Sequence, residues 1–408
     1  MEHIPNALEG VNVLDFTQFA SGPICTLTLA HLGANIIKVE RPIYGEAGRA
    51  GTKNGEDMLW TTLHANKKSI TADMKNPKGK ELLFRMIKKC DVVVENMAPG
   101  TFERLGFGWD ILKEVNPRII FCQIKGYADN SPWAGMPAFD GPVQATGGIA
   151  AQTGQLGGPP TISGIALADD PSGHYAATGI LAALYQRTVT GRGQQVRINM
   201  QEVAISGSRM SFASQDANLI RGQGLPFVPP SAPNDVFPTK PRENDPSNND
   251  YIYLYVNMRT PGPKNAGWIG LCNSIGKPEW INDPNFESGA QRWERREEIR
   301  KAIIAWTLQH DKEEAMRILG GAGVPCGAVL SIQDIMHDQS MLDSGFLQVM
   351  HHSEFGDIIQ VGSAYHLSDT KFEIQPSPKL GQHNDEIYKG FLGLSNEEYE
   401  AYKACGAI

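Results

Sequence analysis

Within Gly164-Ile-Ala-Leu-Ala-Asp169-Asp170-Pro171-Ser-Gly173, two adjacent carboxylates stand directly ahead of a run of helix formers. Asp is a favoured N-cap and Pro fits the first helical turn, so the spacing predicts a helix from Asp170–Pro171 to about Arg187, stopping near Gly191. Asp169 then lies just before a helix amino terminus, where the dipole stabilises an anion by about 0.3–1 kcal/mol and keeps the group ionised at neutral pH. A fixed, ionised carboxylate can attack an acyl carbonyl, such as that of a thioester, and form a mixed anhydride. The plainer alternative is that both aspartates only cap the helix, and the local residues leave the two readings open. Gly173, Ala176, Ala177, Gly179, Ala182 and Ala183 would let this helix pack closely on its neighbours.

The elements that must carry Asp169 are legible upstream. Asn12–Phe16, Asn35–Glu40, Ser69–Met74, Asp91–Asn96 and Arg118–Lys125 read as strands, and Pro23–His31, Lys78–Lys89 and Thr101–Val115 read as helices. The alternation predicts βαβ units in a doubly wound α/β domain with a parallel sheet. Its first turn, Thr17-Gln-Phe-Ala-Ser-Gly-Pro23, lacks the Gly-x-Gly-x-x-Gly dinucleotide cradle. Phosphate-loop, Gly-x-Ser-x-Gly and His-Glu-x-x-His motifs are also missing, which removes the usual sequence support for kinase, serine-hydrolase and zinc-protease chemistry.

At 408 residues two domains are expected. Leu225–Asp250, rich in Pro, Asn and Asp, reads as a linker or long loop between a large domain (1–224, completed by about 340–408) and a smaller α+β domain (251–340). In the latter, Tyr251–Val256 reads as a strand and Trp293–His310 as a helix. Asp311 with Glu314 forms a capping box for Lys312–Leu319.

The six cysteines form no Cys-x-x-Cys pair and read as reduced, mostly buried thiols. His351 and His352 read as surface residues, and no metal-ligand spacing is evident. A net charge of −8 disfavours nucleic acid as a partner. With no apolar run near the roughly 20 residues of a membrane span, and no basic-then-apolar leader in Met1–Gly10, a cytoplasmic location is expected.

Over almost its whole length the chain resembles the family III CoA-transferases, a group that also includes α-methylacyl-CoA racemases. The resemblance rests on Leu8-Glu-Gly-Val-Asn-Val-Leu-Asp-Phe16, Leu32-Gly-Ala-Asn-Ile-Ile-Lys-Val-Glu-Arg41, Asp73-Met-Lys-Asn-Pro77, Val94-Glu-Asn-Met-Ala-Pro-Gly100, Gly179-Ile-Leu-Ala-Ala-Leu184, Thr190-Gly-Arg-Gly-Gln194, Gly323-Val-Pro-Cys326 and Pro378-Lys-Leu-Gly-Gln-His383. It implies that Asp169 is the nucleophile, with Asp170 left as the cap. Coenzyme A would then be a substrate rather than a permanent cofactor. An acyl-CoA donor and a carboxylic-acid acceptor would be the partners, and the assembly an interlocked, ring-like homodimer. CoA-binding positions carried over are Ala20, Ser21, Arg41, Ala72, Asp73, Met74, Lys75, Asn96, Met97, Ala98, Arg104, Pro137, Ala138, Phe139 and Asp140.

Three departures from the oxalate-handling members bear on substrate. Ala20 replaces a glutamine, the glycine-rich loop falls on Phe227–Ala232 with no glycine, and Phe139 and Pro137 replace a tyrosine and a lysine. They point away from oxalate, and the apolar Phe19, Ala20 and Phe139 suit a larger or less polar acid. A racemase on the same fold would need an acid and a base on either side of the α-carbon, and Phe139 replaces the histidine that racemases carry there. The remaining alternative is a non-catalytic CoA-binding partner subunit.

Overall fold

The computed structural model describes residues 4–49, 58–155, 157–214, 232–243, 249–257 and 260–408. These group into two compact units: Met1–Ala150 with Ile162–Gly207 and Ser340–Ile408, and Ala151–Thr161 with Ser208–Gln339. Of Leu225–Asp250, only 232–243 and 249–250 are described, and Phe227–Ala232 lies outside the described residues except for Ala232.

The first unit is built on six parallel strands: β1 (Asn12–Asp15), β2 (Asn35–Glu40), β3 (Lys67–Thr71), β4 (Val92–Glu95), β5 (Ile120–Lys125) and β6 (Gln195–Asn199). Their order is β3-β2-β1-β4-β5-β6. Strand β6 was not expected from the sequence; its polar Gln-Val-Arg-Ile-Asn alternation is that of a half-exposed edge, with no fully buried residue. Residues one apart serve opposite faces. Leu14, Ile37, Val93 and Phe121 join one core, while Val13, Ile36, Val92 and Ile120 join the other.

Helices cover both faces. α1 (Ser21–His31) adds Cys25 and Leu29 to the second core, and α2 (Met58–Leu63) follows it. α3 (Pro77–Ile87), α4 (Thr101–Arg104) and α5 (Trp109–Val115) pack on the first. The single helix expected over Thr101–Val115 is thus two, because Gly106 takes φ +91° and breaks the turn. α6 (Asp140–Thr146) and the short α7 (Ile149–Gln152) precede α8 (Asp169–Thr190), which buries Ala176, Ala177, Ile180 and Ala183 and ends where Gly191 adopts φ +70°. The carboxyl-terminal segment closes the β3 edge, with the His383 N–H donating to Ser69 O and the Asp73 N–H to Ala407 O.

In the antiparallel hairpin Leu347–His352/Gly356–Val361, His351 is exposed and paired with Asp357, whereas His352 is buried against Phe355. The expectation that both histidines are surface residues fails because strand neighbours face opposite ways.

The second unit holds an antiparallel sheet of Asn234–Pro238, Tyr251–Tyr255 and Cys326–Ala328 against helices Ala266–Ser274, Arg296–Thr307 and Lys312–Gly321. The helix expected over Trp293–His310 is interrupted at Arg295, which caps Gly289–Glu294 before Arg296–Thr307 begins. All six cysteines are free, and four of them are buried. Among the described residues no helix is long and apolar enough to cross a membrane.

Candidate active site

The winding of the sheet reverses between β1 and β4, and at such a switch point the crevice beyond the strand carboxyl ends is where ligands bind. Two turns meet there. The Gln18 N–H donates to Asn96 Oδ1 at 2.7 Å and the Asn96 amide returns a bond to Gln18 O at 2.7 Å, stitching the turn after β1 to the turn after β4.

Buried charges hold each turn from below. Asp15 accepts from Thr17 N–H and Oγ1 at 2.8 and 2.6 Å. Lys38 reaches Thr17 O and pairs with Glu46 at 2.8 Å, and Glu46 in turn accepts the Phe19 N–H at 2.9 Å. This fixes Phe19 at φ +62°, a left-handed conformation that costs a bulky residue about 1–3 kcal/mol and persists only under such constraint. Burial raises the Asp15 carboxyl, but Lys38 and Lys67 outweigh it and bring it down to about 2. Under the second turn, Lys125 pairs with Glu95 at 2.6 Å and donates to Met97 O at 2.7 Å, while the Met97 N–H returns to Glu95 Oε2.

Asp169 reaches this crevice because α8 packs tightly on the start of α1. A Cβ at Gly173 would stand 2.6 Å from Ile24 Cγ2 and 2.8 Å from Ser21 O, so only glycine permits the approach. The helix begins two residues earlier than the sequence indicates, at Asp169 rather than Pro171, and Asp170 makes no capping bond. Asp140 supplies the cap from α6 instead, its Oδ1 accepting the N–H groups of Ala168 and Asp169 at 2.7 and 3.1 Å. The Asp170 N–H is already taken by Ala166 O, and Pro171 has none to offer. A capping role for Asp170 is therefore corrected, since its orphan amides are satisfied elsewhere.

The Asp169 carboxyl is pushed up to about 6, mainly by burial and then by the Asp140 charge, while hydrogen bonding from Ser21 pulls it back. The helix dipole does not govern it, yet the group remains mostly ionised at pH 7.

Two cavities adjoin at Met97. One, of about 270 Å³, is lined by Asp169, Ala20, Ser21, Asn96, Met97, Ala98, Pro137, Ala138 and Phe139, together with Phe19, Lys125, Met136 and Met200. The other, of about 300 Å³, is lined by Arg41, Ala72, Asp73, Met74, Lys75 and Met97, with Thr17, Gln18 and Glu46. Arg41 and Lys75 are exposed there and enter no ion pair described among these residues, so both are open to an anionic ligand. Arg104 lines neither cavity and folds back onto Thr101 Oγ1 and Pro99 O, and Asp140 lies behind Asp169 as its cap.

Sequence reasoning missed Lys38, Glu46, Glu95 and Lys125. Three of them carry a signal, being charges within or ending the apolar runs Ile36–Glu40, Val92–Glu95 and Ile120–Lys125; Glu46, in a loop, carries none. A larger groove of about 850 Å³ in the second unit is lined by Met316, Leu330, Asp334 and His337 among others. There Asp334 is held by Arg242 and Lys312, which keep its carboxyl well below the usual range.

Comparison with known proteins bears on the family and the fold. The model of CoA-transferase family III matches residues 8–384. Formyl-CoA:oxalate CoA-transferases of Bradyrhizobium diazoefficiens and Rhodopseudomonas palustris (strain BisB18) are 40% and 38% identical, each comparison covering 98% of this chain and 97% of the relative. The solved structure of a CAIB/BAIF family protein from Brucella suis superposes with a TM-score of 0.80 at 26% identity, over 94% of this chain and 99% of that one. A hypothetical protein of Mycobacterium tuberculosis gives 0.78 at 26% identity, with the same coverage.

Proposed function

Because the chain belongs to CoA-transferase family III, we propose that it moves coenzyme A from an acyl-CoA thioester to a free carboxylic acid by way of a covalent intermediate on Asp169. The observation that carries this reading is the placement of a partly buried carboxylate, bonded by Ser21 at a helix start that Asp140 caps, in the wall of a cavity that shares Met97 with a second one presenting Arg41 and Lys75.

The two cationic side chains would face the phosphates, and the passage past Met97 would lead the pantetheine arm to Asp169. The Asp169 carboxylate adds to the donor thioester carbonyl, and the C–S bond breaks to give a mixed anhydride and CoA thiolate. The thiolate then attacks the aspartyl carbonyl of the anhydride, releasing the donor acid as its carboxylate and leaving an aspartyl-CoA thioester. An acceptor carboxylate repeats both steps in reverse. Each step exchanges one acyl bond for another, so no metal or redox partner is required.

The assembly inferred from the family resemblance is an interlocked homodimer. Exposed Tyr175, Tyr185 and Val189 along α8 are apolar surface of the kind a second copy would cover, and light scattering at micromolar concentration tests for it.

Intact mass after mixing with a panel of acyl-CoA thioesters tests the chemistry. The expected result is a CoA-sized, hydroxylamine-sensitive adduct in the wild type that is absent from Asp169→Ala. No adduct, together with exchange of the substrate's α-proton into solvent, would instead indicate a racemase.

A further inference from the structure

The walls of the Asp169 cavity differ in kind from those of its neighbour. Phe19 and Phe139 meet edge to face with ring centroids 5.8 Å apart, yet remain 50% and 56% exposed. Half-exposed aromatic rings beside a nucleophile, with Met97, Met136 and Met200 in the same wall, form an apolar surface awaiting an apolar ligand. The left-handed backbone at Phe19, held by Glu46, places that ring on the cavity wall.

The polar side chains of this wall are already committed. Lys125 spends its three donors on the two Glu95 oxygens and Met97 O. The amide of Asn96 is bonded at both ends to Gln18, and Ser21 serves Asp169. Among the described lining residues no cationic side chain is left for a second carboxylate, and a buried unpaired charge is strongly disfavoured.

On the transferase reading above, we propose that the acid exchanged at Asp169 is a monocarboxylic acid with a branched-alkyl or aryl chain, seated against Phe19 and Phe139. The relatives named for oxalate share the family, but a dicarboxylate would meet no partner for its second charge in this wall.

The test compares isobutyrate and phenylacetate with oxalate and succinate as acceptors, in the wild type, Phe139→Ala and Phe139→Leu. The wild type is expected to favour the apolar acids by at least about tenfold in kcat/KM, with Phe139→Ala erasing most of that preference and Phe139→Leu keeping part of it. Preference for oxalate or succinate, or a preference untouched in Phe139→Ala, overturns the proposal. The Asp169-dependent CoA adduct would still form in those cases, so the transferase reading would survive; absence of an adduct with every thioester would remove both.

Discussion

The two adjoining cavities differ in how their charges are used. Around Arg41 and Lys75 the cations are exposed and enter no ion pair among the described residues, whereas among the described residues lining the Asp169 cavity the one cation, Lys125, is tied to Glu95 beneath the Met97 turn. One space is thus equipped to grip an anion, and the other isolates a carboxylate among rings and thioethers. In the second space burial raises Asp169 toward neutrality, which makes it less hydrated and readier to attack. The same element type, a turn at a strand carboxyl end, serves both purposes, and the difference lies in whether a buried partner has already neutralised the charge.

The contrast breaks most severely at the proposed nucleophile. Asp169→Ala is expected to lower turnover by at least about 10³-fold, measured by steady-state CoA transfer, while thioester binding persists in the neighbouring cavity. Removing the cations should produce the opposite pattern. Arg41→Ala combined with Lys75→Ala is expected to weaken CoA binding by about 10- to 100-fold with kcat at saturation largely kept, and calorimetry at two salt concentrations would show a shallower salt dependence than in the wild type.

Gly173→Ala probes the approach of α8 to Ser21. Its added methyl would fall 2.6 Å from Ile24, so kcat is expected to drop about tenfold with little change in KM for the thioester.

The acidity of the cavity gives a subtler test. If the carboxylate form attacks, as proposed, kcat/KM should fall as pH drops through about 6, and Asp140→Asn, which removes the second cause of the raised value, should move that limb to lower pH. The smallest effect concerns stability. The folded Asp169 value of about 6 lies above its ordinary 3.8, so ionisation costs the fold nothing below about pH 4 and the full amount above about pH 6. Solvent screening at a partly exposed site trims that amount, and Asp169→Asn should stabilise the protein at pH 8 by on the order of 1–2 kcal/mol, with no gain at pH 4, in thermal denaturation.

Local sequence determined a good deal by itself. Apolar alternation located five of the six sheet strands, Gly191 marked the end of α8, and the residues around Asp169 marked a carboxylate at a helix start. These features depend on neighbours in the chain, through side-chain periodicity, backbone φ and capping. The rest was decided in three dimensions. That Asp140 and not Asp170 caps α8, that Glu46 reaches back to hold Phe19, and that Lys125 is spent while Arg41 and Lys75 enter no ion pair among the described residues all depend on residues that only the fold brings together. The pKa of Asp169 shows the physical reason most directly. Sequence supplies a helix dipole worth a fraction of a kcal/mol at the amino-terminal end of α8, but burial against α1 and the charge of Asp140 are tertiary effects, and they are larger.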